Sequence, residues 1–178
     1  MLCTGDDKME NINISRLPLI GQGVHGKVYK IDENRCIKVC KDIKDMQMEY
    51  AVLKHAEGYP QFPKVYECKK NYMIREYIDG QNIRTYIKRN GLDNNIARGL
   101  TELIKVFIRL NFTRIDIRMA EVFVTANNQI RIVDTTRYMD KQASYPKKML
   151  KNLNELGYLK QYMYFLKENY PEFYNSWR

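Results

Sequence analysis

The sequence has few of the residues that hold structural metal ions. Its histidines number two and its cysteines four, and no C-x-x-C pair occurs among the cysteines. Structural zinc sites take four such ligands, usually in closely spaced pairs. The composition therefore argues against a zinc-organised fold, and we expect reduced, buried cysteines of the kind found in cytosolic proteins.

Long apolar segments are also missing. No stretch approaches the roughly 18 consecutive apolar residues that suggest a transmembrane helix. The N-terminus, with Asp6, Asp7 and Glu10, is polar and lacks the apolar run of a signal peptide. We therefore expect a cytoplasmic protein without a membrane span.

The sequence does contain enough apolar residues for a sizeable core, together with an excess of positive charge. Hydrophobic residues make up 44% of the 178 residues, which argues against global disorder. Lys and Arg number 30 against 21 Asp and Glu, so the net charge is +9. This charge suits an anionic ligand such as a nucleotide, an acidic partner or nucleic acid, and it equally suits a soluble basic surface.

A glycine-rich segment carries the first functional signal. Gly21, Gly23 and Gly26 have G-x-G-x-x-G spacing, and Val28 follows two residues after the third glycine. Glycine lets a loop approach a ligand closely, and the backbone N–H groups of such a loop can face phosphate oxygens. The next residues alternate between polar and apolar, which predicts a strand instead of the helix of a dinucleotide-binding motif. A structural hairpin and a nucleotide clamp both fit this segment alone.

Periodicity predicts a strand-rich first part and a mainly helical second part. Strands are expected near 16–22, 25–31, 34–40, 63–67 and 72–77, and a helix at 46–56 with Asp42 or Asp45 as its cap. After Gly80 we expect helices at 82–89 and 96–110, short strands at 122–124 and 130–133, and a helical tail at 145–170, broken near Gly157. Residues 1 to about 14 are expected to be a mobile polar lead.

Taken in this order, the segments resemble the protein-kinase-like superfamily over about residues 15–135. Lys38 matches the strand lysine of the V-A-I-K motif, and Glu49 matches the helix glutamate that pairs with it. Asp116 lies at the aspartate of H-R-D, and Asp134 at the aspartate of D-F-G. Glu121 follows Asp116 by five residues and precedes Asp134 by 13, which is similar to the spacing of the catalytic-loop asparagine in that family.

The resemblance implies an α+β fold with a single two-lobed, protein-kinase-like domain over residues 1–178. The N-terminal lobe, at about 15–78, would hold a five-stranded antiparallel sheet and one helix. The C-terminal lobe, at about 79–178, would be reduced and mainly helical. Residues 74–80 resemble the hinge between the lobes.

The resemblance also implies a site for ATP and a divalent ion. Lys38 would hold the α- and β-phosphates, and Glu49 would hold Lys38. Asp134 and Glu121 would bind Mg²⁺ or Mn²⁺. Asp116 would orient the attacking hydroxyl and accept its proton, and Arg118 would steady the γ-phosphate. The other implied nucleotide contacts are loop glycines, hinge backbone groups and side chains around the base: Gly21, Gly23, Gly26, Glu76, Ile78, Val28, Cys36 and Phe123.

Several positions depart from the family pattern. Arg114 and Ile115 replace the histidine and arginine of H-R-D, and Glu121 replaces the asparagine. Thr135 and Thr136 replace the phenylalanine and glycine of D-F-G. In addition, an arginine stands at the gatekeeper position (residue 75), and no A-P-E motif follows. The chain is therefore more similar to reduced, atypical members: RIO-type kinases, lipopolysaccharide-sugar kinases and small bacterial serine/threonine-kinase-like proteins.

Three hypotheses follow. The first is an atypical ATP-dependent kinase that transfers the γ-phosphoryl group to a hydroxyl acceptor, most simply a protein Ser or Thr. The second is a pseudokinase, a nucleotide-binding or scaffold module, in which Glu121 forms a salt bridge with Arg114 or Arg118 instead of binding metal. The third, least favoured, is a nucleic-acid or polyanion binder. Its motive is a group of basic residues: Arg137, Lys141, Lys147, Lys148 and Lys151.

Overall fold

The computed structural model describes residues 12–136, 138–139 and 141–178. Within this part of the chain it has a mixed α+β fold with six α-helices and two antiparallel sheets. The residues divide into two units. The sheet unit comprises residues 12–79 and 134–136, and the helical unit comprises Gly80–Val133 and the described part of Tyr138–Arg178.

The sheet unit contains a five-stranded antiparallel sheet, as the resemblance implied, built from the five strands that the periodicity predicts. Its strands are β1 (Leu19–Gln22), β2 (Gly26–Lys30), β3 (Arg35–Cys40), β4 (Val65–Cys68) and β5 (Tyr72–Glu76), in the order β1-β2-β3-β5-β4. The predicted helix is α1 (Ile43–His55), which starts three residues earlier than expected. Asp42, one of the two predicted caps, accepts a 2.8 Å hydrogen bond from the backbone N–H of Lys44.

The two faces of this sheet are buried by different segments. On one face Ile37, Tyr72 and Ile74 pack against the segment 12–17, which includes a short 3₁₀ helix (Ile14–Arg16). The expectation of a mobile lead is therefore wrong for residues 12–14, because this apolar face would otherwise be exposed; residues 1–11 lie outside the described residues. The opposite face carries Lys38 and is covered by α1.

Of the three loop glycines, Gly26 is the one whose missing side chain is required by packing. Its φ is +156°, and a Cβ added to it would lie 2.1 Å from the carbonyl oxygen of Val39 on the neighbouring strand. A Cβ added to Gly23 would meet no atom within 4 Å. The close pairing of β2 with β3 therefore depends on Gly26, whereas Gly23 faces open space.

This contrast predicts different costs for two matched substitutions. Gly26→Ala is expected to lower the free energy of unfolding by at least about 2 kcal/mol, because an unfavourable φ and a backbone clash act together. Gly23→Ala is expected to change it by less than about 0.5 kcal/mol. Urea unfolding of both variants measures the difference, and equal midpoints for the two would contradict this account of β2 and β3.

The helical unit contains helices around a small three-stranded sheet. The sheet consists of β6 (Gln81–Asn82), β7 (Val122–Val124) and β8 (Ile130–Ile132). Strand β6 was not predicted, because two residues are too few to show a period. The helices are α2 (Ile83–Asn90), α3 (Asn94–Arg109), α4 (Lys147–Glu155), α5 (Leu159–Asn169) and α6 (Pro171–Trp177).

The tail helices α4, α5 and α6 belong to the same unit as α3. The Tyr162 hydroxyl on α5 lies 2.9 Å from the hydroxyl of Thr101 on α3, and Tyr170 donates a 2.9 Å hydrogen bond to Glu102. The predicted break near Gly157 is present, where φ is +82°. None of the described helices is long and apolar enough to cross a membrane.

The cysteines differ in their state. Cys36 and Cys40 are buried and carry free thiols, as expected. Burial raises the pKa of both thiols, to about 11 for Cys40, so neither is expected to react readily as a thiolate. Cys68, however, is disulfide-bonded, so the expectation of reduced cysteines is wrong for this residue.

Candidate functional site

Four charged side chains meet in the sheet unit, and we call them the charged cluster: Lys38, Glu49, Arg75 and Asp134. Lys38 Nζ and Glu49 Oε2 form the ion pair that the motif spacing predicts. Arg75 Nη1 donates a 2.9 Å hydrogen bond to the other carboxylate oxygen, Glu49 Oε1. Lys38, Glu49 and Arg75 are only 4%, 0% and 5% exposed, so these charges compensate one another away from water.

The strand register explains why these side chains share a face. Cys36 on β3 lies directly opposite Arg75 on β5, and Lys38 follows two residues later on the same side of β3. Val28 on β2 lies opposite Lys38 and therefore points to that face as well. The prediction that Cys36 shares a face with Lys38 is confirmed.

Asp134 enters the sheet unit from a distant part of the sequence. Its Oδ1 lies 3.7 Å from Lys38 Nζ. The same oxygen accepts a 3.2 Å hydrogen bond from the backbone N–H of Thr136 and a 2.9 Å bond from its hydroxyl. The Thr136 hydroxyl also lies 3.3 Å from Glu49 Oε2. Thr136, which was noted above only because it replaces the glycine of D-F-G, thus links the two carboxylates.

The charged cluster favours the charged forms of Lys38 and Asp134. Burial lowers the pKa of Lys38, but Glu49 and Asp134 outweigh this effect, so the pKa lies above its ordinary value. Burial raises the pKa of Asp134, but Lys38 and the two Thr136 hydrogen bonds outweigh it, so this pKa lies below its ordinary value. Lys38 is therefore a cation and Asp134 an anion at neutral pH.

The depressed pKa of Asp134 predicts a dependence of stability on acid pH. A carboxyl group whose pKa is lower in the folded state stabilises it above the unfolded value, near 3.8, and loses this contribution as pH falls through the folded pKa. We expect Asp134→Asn to be less stable than the wild type at pH 7, with a smaller difference near pH 3. Urea unfolding at both pH values measures this. The exposed Asp79→Asn is the control, and a difference that persists at low pH would contradict the assignment.

The glycine loop is closed and tied to α1. The N–H of Gly23 donates a 2.9 Å hydrogen bond to the carbonyl of Gly26. His25 Nδ1 lies 2.6 Å from the Asp45 carboxylate in the first turn of α1, and the Lys41 N–H donates to the His25 carbonyl. Sequence inspection missed the His25–Asp45 contact, which joins positions 20 residues apart.

The backbone N–H groups at the end of β5 and just after it differ in whether they are already hydrogen-bonded. The N–H of Glu76 donates to the Lys64 carbonyl, and the N–H of Tyr77 donates to the Asn34 carbonyl, each at 2.8 Å. The N–H of Ile78 makes no hydrogen bond to another described residue. Of the two hinge positions, Ile78 therefore has a backbone N–H that no described residue accepts, whereas the N–H of Glu76 is already used.

In the helical unit, Asp116 acts as a helix cap. Its Oδ1 accepts a 2.6 Å hydrogen bond from the backbone N–H of Lys148, at the start of α4, where Pro146 offers no side-chain cap. Its Oδ2 lies 3.9 Å from Lys148 Nζ. A carboxylate at this position satisfies a helix donor and complements the helix dipole. Asp116 therefore has a structural contact, besides any catalytic one.

Glu121 is engaged within the helical unit as well. Its Oε1 lies 3.4 Å from Arg118 Nη1, and its Oε2 accepts a 2.7 Å hydrogen bond from the hydroxyl of the buried Tyr138. The Arg114 guanidinium lies over the Tyr138 ring, 5.1 Å from its centre. Of the two salt-bridge partners suggested for Glu121, Arg114 and Arg118, the contact with Arg118 is observed. Phe123, two residues later on β7, is half-buried.

The described residues include no group of three or more His, Cys, Asp or Glu side chains placed to hold a metal ion. Mg²⁺ needs fewer protein ligands where phosphates and water complete its shell, commonly one or two carboxylates. Asp134 fits this requirement, because it is ionised and its side chain is 33% exposed. Its Oδ1 is bonded to Thr136, and a carboxylate can offer the other oxygen.

The sequence carried a signal for the buried ion pair of Arg75, which was noted only as a departure from the family pattern. Arg75 directly follows the apolar run Tyr72-Met73-Ile74, and a charged residue in a buried strand needs a charged partner.

No protein-family model matches the chain, and no match is found among the curated proteins.

Proposed function

We propose that the chain is an atypical ATP-dependent kinase of the protein-kinase-like superfamily, with the sheet unit as its N-terminal lobe and the helical unit as its C-terminal lobe. The observation that carries the proposal is the charged cluster. A buried strand lysine paired with a helix glutamate, and joined by an aspartate from 96 positions later, is the arrangement with which protein kinases hold the phosphates and metal ion of ATP.

The residues of the sheet unit would bind the nucleotide. Lys38 would donate to the α- and β-phosphates while Glu49 holds its ammonium group in place. The Ile78 N–H would donate to the adenine, and Val28 and Cys36 would pack beside it. Asp134 would hold Mg²⁺ or Mn²⁺, which when bound neutralises the charge that develops on the phosphates.

The residues of the helical unit would act on the acceptor. Asp116 would accept the proton of the acceptor hydroxyl. The oxygen of that hydroxyl would bond to the γ-phosphorus while the bond from this phosphorus to ADP breaks. The proposed acceptor is a hydroxyl group, most simply of a protein Ser or Thr. Lys148, whose Nζ lies 3.9 Å from Asp116 Oδ2, would add positive charge near the oxygens of the transferred phosphoryl group.

A pseudokinase is the second candidate, and two contacts favour it. Asp116 caps α4, and Glu121 is bonded to Arg118 and Tyr138, so each of these carboxylates has an internal role that needs no reaction. In that case the sheet unit would bind nucleotide, or serve as a scaffold, without transfer.

Calorimetry with ATP and Mg²⁺ or Mn²⁺, followed by an assay for ADP formation, tests the proposal. We expect metal-dependent ATP binding and slow turnover, and Lys38→Met should weaken binding about tenfold or more. The variant should still fold, because Glu49 keeps Arg75 as its partner. Binding without turnover would favour the pseudokinase. A response to heparin or inorganic tripolyphosphate equal to that for ATP would instead favour a general polyanion binder.

A further inference from the structure

We propose that Arg75 is a positioning residue for this nucleotide site. By sharing Glu49 with Lys38, Arg75 leaves the charge of Lys38 available to a polyphosphate. The inference rests on the proposed function and concerns the same cluster. Its basis is that Glu49 divides its two oxygens between two cations. Arg75 takes Oε1 at 2.9 Å, whereas Lys38 takes Oε2.

Arg75 is placed to act through Glu49. Its side chain is buried and lies on β5, beside Cys36 of β3. The Cys36 thiol is a second polar neighbour, and the guanidinium opposes the rise that burial causes in the thiol pKa. A group so enclosed is poorly placed to bind a phosphate itself, so its influence on a ligand must pass through its partner.

The balance of charge gives Arg75 its effect. With Arg75 present, the charged cluster has two cations and two carboxylates, and its net charge is zero. Without it, Lys38 faces both Glu49 and Asp134, at an ion-pair contact and at 3.7 Å, and the cluster has a net charge of −1. A negative cluster repels a polyphosphate and holds Lys38 more firmly to the protein carboxylates.

Stability alone gives little reason for an arginine here. The two residues that precede Arg75 on the strand, Met73 and Ile74, are apolar and buried. Replacing buried ion pairs with apolar residues is often neutral or stabilising, because desolvating charges is costly. A guanidinium at this position is explained by a need for positive charge next to Glu49.

The test compares ATP with adenosine, which lacks the phosphates. Full-length wild type, Arg75→Met, Arg75→Gln and Arg75→Lys are titrated by calorimetry with ATP plus Mg²⁺, with adenosine and with inorganic tripolyphosphate. We expect Arg75→Met to weaken ATP and tripolyphosphate about tenfold and adenosine less than twofold. Arg75→Lys should retain most of the affinity, because the charge remains. A purely structural role would weaken ATP and adenosine equally, and that result would overturn the proposal.

Arg75→Gln keeps a donor for Glu49 without the charge, and it replaces Arg75→Met where the latter fails to fold. It is expected to lose polyphosphate affinity as Arg75→Met does. Failure of the proposed function has a separate signature: the wild type binds tripolyphosphate in a Lys38-dependent manner but shows no preference for ATP. In that case the effect of the Arg75 substitutions on tripolyphosphate affinity alone decides whether the proposed role of Arg75 is correct. If the wild type binds neither ligand, both proposals are overturned.

Discussion

Replacing Glu49 with leucine is expected to lower the free energy of unfolding by about 3–5 kcal/mol, because breaking a buried ion pair leaves a charge without its partner. Here the leucine would leave two cations, Lys38 and Arg75, nearly out of contact with water. Asp134, 3.7 Å from Lys38, would be the remaining carboxylate of the charged cluster. Urea unfolding at neutral pH measures the loss.

Two matched variants test whether the loss of stability is specific to the buried Glu49, or follows from removing any glutamate or any charge. Glu57→Leu removes a largely exposed glutamate whose surface ion pair with Lys54 contributes little, so a change below about 0.5 kcal/mol is expected. Lys38→Met is expected to cost about 1 kcal/mol, because Glu49 keeps its bond to Arg75. If Glu49→Leu unfolds at the same urea concentration as Glu57→Leu, the buried pair does not stabilise the fold as described.

Local sequence patterns were sufficient to predict most elements of the sheet unit. Alternating strands and the Asp42 cap are short-range signals, and all five strands and helix α1 are present, although β1 starts three residues later and α1 three residues earlier than predicted. The segment 12–17 was missed because its apolar residues have no period of their own. They are ordered by the sheet face that they cover, which lies distant in sequence.

The contacts of the candidate site were predictable only where motif spacing links two positions. Lys38 and Glu49 were paired in this way, and their ion pair is present. Arg75 and Thr136 were noted as departures from a pattern, and their bonds to Glu49 depend on strand register and on where residues 134–136 return to the sheet. Periodicity predicts the face of a side chain but not its partner.

The same limit applies to Asp116. Its position after Arg114 and Ile115 was predicted to place it in a catalytic loop, but its contact with Lys148 spans 32 positions. That contact depends on where α4 begins relative to the loop. The observed cap therefore changes how a substitution of Asp116 must be interpreted, because it can affect folding and chemistry separately.

Asp116→Asn is expected to abolish most phosphoryl transfer while leaving the fold and ATP binding intact. An asparagine side chain keeps an oxygen that accepts the Lys148 N–H, but it cannot take a proton from the acceptor. Loss of a general base typically lowers the rate about 10²–10⁴-fold. ADP formation and calorimetry with ATP, measured on the same sample, test both parts of this expectation.

Asp116→Ala is the matched variant, because it removes the cap as well as the base. Loss of a helix cap costs about 1 kcal/mol, so this variant is expected to unfold earlier than Asp116→Asn while having equally low transfer. Turnover by Asp116→Asn at the wild-type rate would show that Asp116 is not the base. A wild type without turnover, together with the same difference in stability between Asn and Ala, would leave Asp116 as a cap of α4 alone and favour the pseudokinase.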